Sequence, residues 1–176
     1  MENTEALMYP RAILRLAAVF FSVAALFTAC AGDIGVKTPL GDIVWDQYRQ
    51  ERRASQEEAA ARYNYCPTDG CVIRLESVQV TPSPARPGEN LTLSMSYTLL
   101  TADKTAIPLT ISREIFFKGA SLGKLQSLDL RNYNGTWTQQ VGYRLPAQAA
   151  RGDYTLVTRI STGYGMDQKN TDFTVE

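Results

Sequence analysis

Apolar and polar residues alternate through most of the chain after residue 72, and this alternation limits what the segment can fold into. Between residues 91 and 97, Leu91, Leu93, Met95 and Tyr97 alternate with Thr and Ser. A period of two places the apolar side chains on one face of an extended strand and the polar side chains on the other. The pattern therefore predicts half-buried β-strands.

The same alternation recurs in further runs, which are separated by residues that favour turns. The strand-like runs cover residues 73–80, 91–97, 109–117, 125–130, 137–145, 154–160 and 173–175. The turn-forming stretches cover residues 82–88, 101–105, 132–135, 146–153 and 161–170. About seven short strands at this spacing are typical of an immunoglobulin-like sandwich. We therefore expect residues 72–176 to form an all-β sandwich domain of this kind.

One local motif strengthens this expectation. Leu145-Pro146 is followed by Arg151-Gly152-Asp153-Tyr154, which resembles the turn into strand F of bacterial immunoglobulin-like and fibronectin-III-like modules. In those modules a Gly-x-Tyr places a tyrosine at the corner of the sandwich. The resemblance implies that Tyr154 belongs to the core, but it implies nothing about function.

A second pattern, near the N-terminus, concerns the destination of the chain. An uncharged apolar stretch follows Arg11 and Arg15 and ends before Asp33. Because a membrane-spanning helix needs about 20 apolar residues, this shorter stretch favours a secretory signal peptide, here residues 1–29. Glu2 and Glu5 are unusual in such a signal, so Met8 is an alternative start.

The end of this stretch, Phe27-Thr28-Ala29-Cys30, resembles the lipobox of bacterial lipoproteins. Phe27 departs from the usual Leu, and cleavage after Ala31 is the alternative. The resemblance implies that Cys30 becomes the lipid-modified N-terminus and anchors the protein stably to a membrane. By resemblance to the sorting rules of enteric lipoproteins, the absence of an acid at Ala31 or Gly32 favours the outer membrane, with the protein facing the periplasm or the cell surface.

Residues 30–65 are predicted to form a leash followed by a helix. Residues 42–62 are rich in helix formers and lack Gly and Pro. Their apolar residues lie only in the first two turns, so the stripe is too short to bury the whole helix against a core. The helix is therefore either a solvated spacer or a docking element anchored by Trp45 and Tyr48.

Cys66 and Cys71 enclose the sequence Pro-Thr-Asp-Gly. An exported chain meets an oxidising compartment, so a disulfide across this turn is the natural prediction. A redox-active pair is the alternative, although such motifs usually have two residues between the cysteines. The segment 66–71 would then hold the junction between the helix and the sandwich.

The composition removes several classes of function. The chain of 176 residues has no histidine, which excludes Ser-His-Asp and Cys-His catalysis and His-ligated metal sites. It has 18 basic and 18 acidic residues, and this balance does not favour nucleic acid binding. Ser121-Leu-Gly-Lys124 matches the Ser-x-x-Lys of penicillin-recognising enzymes, but the Ser-Asp-Asn and Lys-Thr-Gly partners are missing. We expect no metal, no cofactor and no enzymatic activity.

The remaining candidate for a functional site is a binding surface formed by loops. In an immunoglobulin-like topology the loops at residues 101–105, 131–135 and 161–170 gather at one end of a rigid scaffold. They supply a tyrosine-rich polar set that suits an adaptable binding surface, namely Asp103, Lys104, Tyr133, Asn134, Tyr164 and Asp167. The alternative is that the two tyrosines only pack on neighbouring loops.

The sequence therefore predicts a lipid-anchored, non-catalytic accessory that binds a protein complex of the cell envelope. The alternative is a carbohydrate- or cell-wall-binding module that contacts glycan. That alternative needs Tyr133, Trp137 or Tyr143 to be exposed as a stacking platform.

Overall fold

The computed structural model describes residues 37–38, 41–42 and 45–176, with side chains from Tyr48 onward except that of Gln126. The described residues belong to one compact unit, Gly35–Glu176. The predicted signal peptide, the lipobox and Cys30 lie outside the described residues. Within the described part, no helix is both long enough and apolar enough to cross a membrane.

Strands dominate the described chain. In chain order they are β1 (Lys37–Thr38), β2 (Gly41–Asp42), β3 (Trp45–Ala54), β4 (Val72–Thr81), β5 (Asn90–Leu100), β6 (Ile107–Phe117), β7 (Ala120–Asn132), β8 (Gly135–Arg144), β9 (Gly152–Thr162) and β10 (Gly165–Val175). One helix, α1 (Gln56–Tyr63), and a 3₁₀ turn, Pro67–Asp69, lie between β3 and β4.

Two four-stranded antiparallel sheets form a sandwich. The first sheet has the order β3-β8-β5-β4 and the second has the order β10-β9-β6-β7, while β1 and β2 form a separate pair. The predicted alternation is visible in β5, where Leu91, Leu93, Met95 and Tyr97 are all buried. The all-β sandwich predicted from the alternation is therefore confirmed.

The predicted helix over residues 42–62 is wrong for its first part. Residues 45–54 form β3, the edge strand that pairs with β8, with Trp45 opposite Tyr143 and Ala54 opposite Thr136. Hydrogen bonds to β8 outweigh the helix propensity of this charged segment, since a propensity of a few tenths of a kcal/mol per residue is easily overridden. Gly135 permits the junction, because a Cβ there would lie 2.6 Å from the carbonyl oxygen of Ala54.

The helix α1 begins only after β3 ends. Ser55 caps its N-terminus in a capping box with Glu58, and Asn64 ends it in the left-handed conformation. Ala59 is fully buried, and α1 contacts β8, β5 and β3. The helix thus packs on the outer face of the first sheet and is not a solvated spacer.

The predicted loop over residues 161–170 is also wrong. Strands β9 and β10 form a long hairpin that closes at Gly163 and Tyr164, with Thr162 opposite Gly165. The first eight residues of β10 are mostly exposed and polar, so they lack the alternation by which the end of the strand was recognised. Pairing with β9 alone extends the strand.

The interior has two halves. We call the end of the sandwich that carries the loops predicted at residues 101–105, 131–135 and 161–170 the upper end, and the opposite end the lower end. The lower half is an apolar cluster that includes Leu93, Tyr143, Tyr154 and Phe173. The hydroxyl of Tyr154 donates a hydrogen bond of 2.7 Å to the carbonyl oxygen of Ala150, as expected of a corner tyrosine. The upper half contains Leu75, Met95, Tyr97, Leu99, Ile107, Leu109, Ile111 and Ile160, and it lies beneath the three loops that were predicted to gather.

Candidate functional site

The loops between β5 and β6, between β7 and β8, and between β9 and β10 lie together at the upper end of the sandwich. The register places Ile107 opposite Asn132 and Leu109 opposite Thr162, so the ends of β6, β7 and β9 coincide. Leu99 lies opposite Gly135, which brings the end of β5 to the same place. The gathering predicted from the topology is therefore present.

Asp103 joins these loops. Its main-chain carbonyl accepts a hydrogen bond of 2.7 Å from the side-chain amide of Asn134. Its carboxylate accepts a hydrogen bond from the hydroxyl of Tyr164, and this bond raises the pKa of that phenol. One loop residue thus contacts both neighbouring turns.

Asn134 was predicted to be a contact residue, and the structure corrects this. Its side chain is only 3% exposed. Its Oδ1 accepts from the amide of Thr101 at 2.9 Å, and its Nδ2 donates to the carbonyl of Thr101 at 2.9 Å. A short amide side chain satisfies main-chain groups that would otherwise be buried without partners. Asn134 therefore holds the loops in place and does not face a partner.

Large side chains point outward around this framework. Tyr133 is 57% exposed, Tyr164 is 45% exposed and Met166 is 59% exposed. The main chain of Tyr133 is nevertheless fixed, because its carbonyl accepts a hydrogen bond of 2.9 Å from the indole of Trp137. Lys104 and Asp103 add exposed charge beside these residues. We call Asp103, Lys104, Tyr133, Tyr164 and Met166 the loop-end surface. Sequence reasoning missed Met166 because it selected only tyrosines and polar residues from residues 161–170.

Asp167, also predicted as a contact residue, has a structural role. Its carboxylate accepts a hydrogen bond of 2.7 Å from the main-chain amide of Leu75, at the free edge of β4. Unpaired main-chain groups at the edge of a sheet can pair with strands of other chains. The Asp167 carboxylate occupies one such group, the amide of Leu75. Beside it, residues 72–75 and 166–169 line a cleft of about 420 Å³ between β4 and β10.

Of the three aromatic residues that the carbohydrate-binding alternative invokes, two are not available as a stacking platform. Tyr143 is only 1% exposed and belongs to the lower half of the interior. Trp137 is half-buried, and the guanidinium of Arg52 lies 6.0 Å from the centroid of its ring. Of the three predicted aromatic residues, Tyr133 alone is exposed.

The predicted docking helix with Trp45 and Tyr48 is wrong, because both residues lie on β3. The side chain of Trp45 is outside the described residues. Tyr48 is 45% exposed, and its hydroxyl donates to the side chain of Gln50. The same hydroxyl accepts a hydrogen bond of 3.3 Å from Gln139, so Tyr48 contacts the polar part of the interior.

Cys66 and Cys71 are free, exposed thiols in the structure, so the predicted disulfide is not formed there. The Sγ of Cys66 lies 3.0 Å from the hydroxyl oxygen of Thr68. This hydrogen bond lowers the pKa of the Cys66 thiol. Disulfide formation on export stays a prediction.

Comparison with known proteins gives distant structural similarities only. No family model and no curated protein matches the chain. An alkylpurine DNA glycosylase of Pseudomonas fluorescens, bound to DNA with an abasic site analogue, is 14% identical at a TM-score of 0.40, with 59% of this chain and 30% of that chain covered. A conjugative transposon lipoprotein of Bacteroides eggerthii is 12% identical at a TM-score of 0.36, with 58% of this chain and 95% of that chain covered.

The sporulation control protein Spo0M of Bacillus subtilis is 15% identical at a TM-score of 0.34, with 61% of this chain and 49% of that chain covered. The chain thus spans less than a third of the glycosylase and about half of Spo0M. At TM-scores below 0.5 none of these similarities bears on the function of this chain.

Proposed function

We propose that this chain is a lipid-anchored, non-catalytic accessory of the bacterial cell envelope whose loop-end surface binds a protein partner. The observation that carries the proposal is the exposure of Tyr133, Tyr164 and Met166 around loops that are held together by hydrogen bonds. The lipobox resemblance of residues 27–30 supports the anchor, and the absence of an acid at Ala31 or Gly32 supports a location at the outer membrane.

The composition of the loop-end surface favours a protein as the partner. Tyrosine and methionine are enriched at protein interfaces, and tyrosine buries a large area at low cost in side-chain entropy. Because Asn134 and Asp103 already fix the loops, little ordering is needed on binding. Exposed Lys104 and Asp103 supply charge at the rim, where charges mainly set specificity and association rate.

The strand order supports the finer assignment of the domain as immunoglobulin-like or fibronectin-III-like. Without β3, three strands (β4, β5 and β8) pack on four (β6, β7, β9 and β10), and the chain crosses between the sheets repeatedly. The hydrogen bond from Tyr154 to Ala150 supports the same assignment. In such domains the loops at one end of the sandwich commonly carry the binding function.

The test is site-specific photocrosslinking in cells. A photoreactive residue placed at Tyr133 or at Met166 is expected to crosslink to one envelope protein. The matched control is Lys118, which is exposed in the β6–β7 turn at the opposite end of the sandwich. Equal crosslinking from Lys118, or no crosslink from either loop-end position, would contradict the proposal.

A double substitution, Tyr133→Ala with Tyr164→Ala, provides the second measurement. We expect it to abolish capture of the crosslinked partner while the urea midpoint of unfolding changes little, because both rings are largely exposed. Unchanged capture by a folded double variant would show that the tyrosines only pack on neighbouring loops.

A further inference from the structure

The outer faces of the two sheets differ in how their polar side chains hydrogen-bond. On the second sheet several of these side chains pair with each other across neighbouring strands. The pairs are Thr110 with Asp129 at 2.7 Å, Thr155 with Asp172 at 2.7 Å, Thr174 with Asp153 at 2.9 Å, and Arg159 with Gln168 at 2.8 Å. Much of the polar surface of that face is thus paired, although Ser127, Arg131 and Asn170 have no side-chain partner among the described residues.

On the lower part of the first sheet, the exposed polar side chains do not pair in this way. Arg49, Asn90, Thr92 and Gln140 are all exposed, and none has a side-chain hydrogen bond or ion pair in the described part of the chain. They come from three adjacent strands, β3, β5 and β8. Four unpaired polar side chains thus lie side by side on this face.

These side chains line a groove of about 320 Å³. Its floor includes Gly142 of the central strand β8, which lies opposite Thr92 of β5. Val141 and Tyr143 point into the core, so Gly142 is on the outer face and leaves room above the sheet. A glycine inside a strand often marks a place where a ligand approaches the backbone closely. We call Arg49, Asn90, Thr92, Gln140 and Gly142 the Gly142 groove.

The chemistry of the lining defines the ligand. Arg49 is the one charged residue that lines the groove among the described side chains, and a guanidinium binds a carboxylate through two parallel hydrogen bonds. Asn90 and Gln140 each offer donors and an acceptor, and Thr92 offers a hydroxyl, which together match neighbouring sugar hydroxyls. Arg144, opposite Asn90, adds a second exposed positive charge at the lower end.

We propose that the Gly142 groove binds a saccharide that carries a carboxylate, a sugar acid, through Arg49 and the amides of Asn90 and Gln140. The groove is small and lacks an exposed aromatic ring among its lining residues, so the binding is weak and is determined by charge and hydrogen bonds. This site is separate from the loop-end surface, and it does not depend on the function proposed for that surface.

The experiment is a titration of the full chain in detergent micelles, followed by nuclear magnetic resonance of the main-chain amides. The probes are glucuronic and galacturonic acid and their short oligomers, with glucose, galactose and inorganic phosphate as controls. We expect the amides of Thr92 and Gly142 to shift with the sugar acids, at low millimolar dissociation constants, and to shift little with the controls. An equal response to phosphate would overturn the assignment of a saccharide, and no response to any sugar acid would overturn the site.

Variants provide a matched pair on the same face of the same strand. Arg49→Gln is expected to weaken sugar-acid binding about tenfold, as for the loss of one charge-assisted pair. Arg53→Gln is expected to leave it unchanged, because Arg53 already contacts Glu51 and Thr138 outside the groove. Equal losses in the two variants would overturn the proposal. Gly142→Val, which fills the floor, is expected to abolish binding in a protein that keeps its unfolding midpoint.

Discussion

The two halves of the interior are held together in different ways. In the lower half, aromatic rings pack on one another, with 4.7 Å between the ring centroids of Phe117 and Tyr154 and 5.3 Å between those of Tyr154 and Phe173. In the upper half, polar groups enter the core. Gln139 is fully buried and accepts a hydrogen bond from Arg113, which is 1% exposed.

The polar groups of the upper half connect strands from both sheets. The hydroxyl of Tyr97 on β5 accepts a hydrogen bond of 2.6 Å from Asn132 on β7, and Gln50 on β3 approaches the same hydroxyl at 3.4 Å. Burial raises the pKa of Tyr97 and lowers that of Arg113 to about 10. Hydrogen bonds are directional, whereas apolar packing is not. The upper half therefore fixes strand positions beneath the loop-end surface through directional hydrogen bonds, whereas the lower half is held by apolar packing.

The largest effect is expected in the lower half. Tyr154→Ala removes a ring that contacts both Phe117 and Phe173, and we expect a loss of about 3 to 5 kcal/mol in the free energy of unfolding. Urea denaturation followed by circular dichroism measures it. Tyr154→Phe is the control, because it keeps the ring and loses only the hydrogen bond to Ala150, worth about 1 kcal/mol. Similar losses in the two variants would show that packing does not dominate this half.

A smaller effect is expected at the top of the upper half. Asn134→Ala leaves the main-chain groups of Thr101 and Asp103 without their partners, and we expect a loss of about 2 to 3 kcal/mol. Hydrogen exchange is expected to rise in residues 101–103 and to stay unchanged at Tyr154. If the exchange rises equally in both places, the two halves are one cooperative unit and the comparison fails.

The smallest effect is expected from a titration. Burial raises the pKa of Tyr143 to about 12 from its ordinary 10.0. Between about pH 10 and 12 the folded chain thus keeps a proton that the unfolded chain has lost, so this group stabilises fully below pH 10 and its contribution falls as the pH rises. Tyr143→Phe is expected to reduce the loss of stability in this window. Urea midpoints at a series of pH values measure the difference, and identical pH profiles would contradict it.

Arg113 contributes with the opposite sign in the same window. Burial lowers its pKa to about 10, so the unfolded state binds more protons there and this contribution to stability rises with pH. Arg113 is present both in the parent chain and in the Tyr143→Phe variant. The difference between their pH profiles of stability therefore measures the contribution of Tyr143 alone.

Six strands could be predicted from the sequence because most of their inward residues are apolar. In β3 the inward residues include Tyr48, Gln50 and Arg52, which are polar or only partly buried, so the alternation carries no hydropathy signal. The same holds for β10 before Phe173. Both are edge strands, and pairing with a neighbour defines them more than their own composition does. Long-range pairing of this kind is not visible in a local window.

The loops of the candidate site could be predicted from the topology, but the roles of their residues could not. Asn134 and Asp167 look like surface residues in the sequence, yet each satisfies main-chain groups of a distant segment. Met166 was missed because only tyrosines and polar residues were selected from its stretch. The Gly142 groove was missed for another reason, since it depends on which outward side chains lack partners.

The position of β3 determines how the sandwich responds to mechanical force. The strand enters at the lower end, where Trp45 lies opposite Tyr143, and it runs antiparallel to β8 up to Ala54 at the upper end. Tension between an N-terminal tether and a partner held at the loop-end surface would therefore act along the strands. The hydrogen bonds between β3 and β8 would share this tension together instead of opening one after another, so the first strand of the sandwich would resist being pulled away.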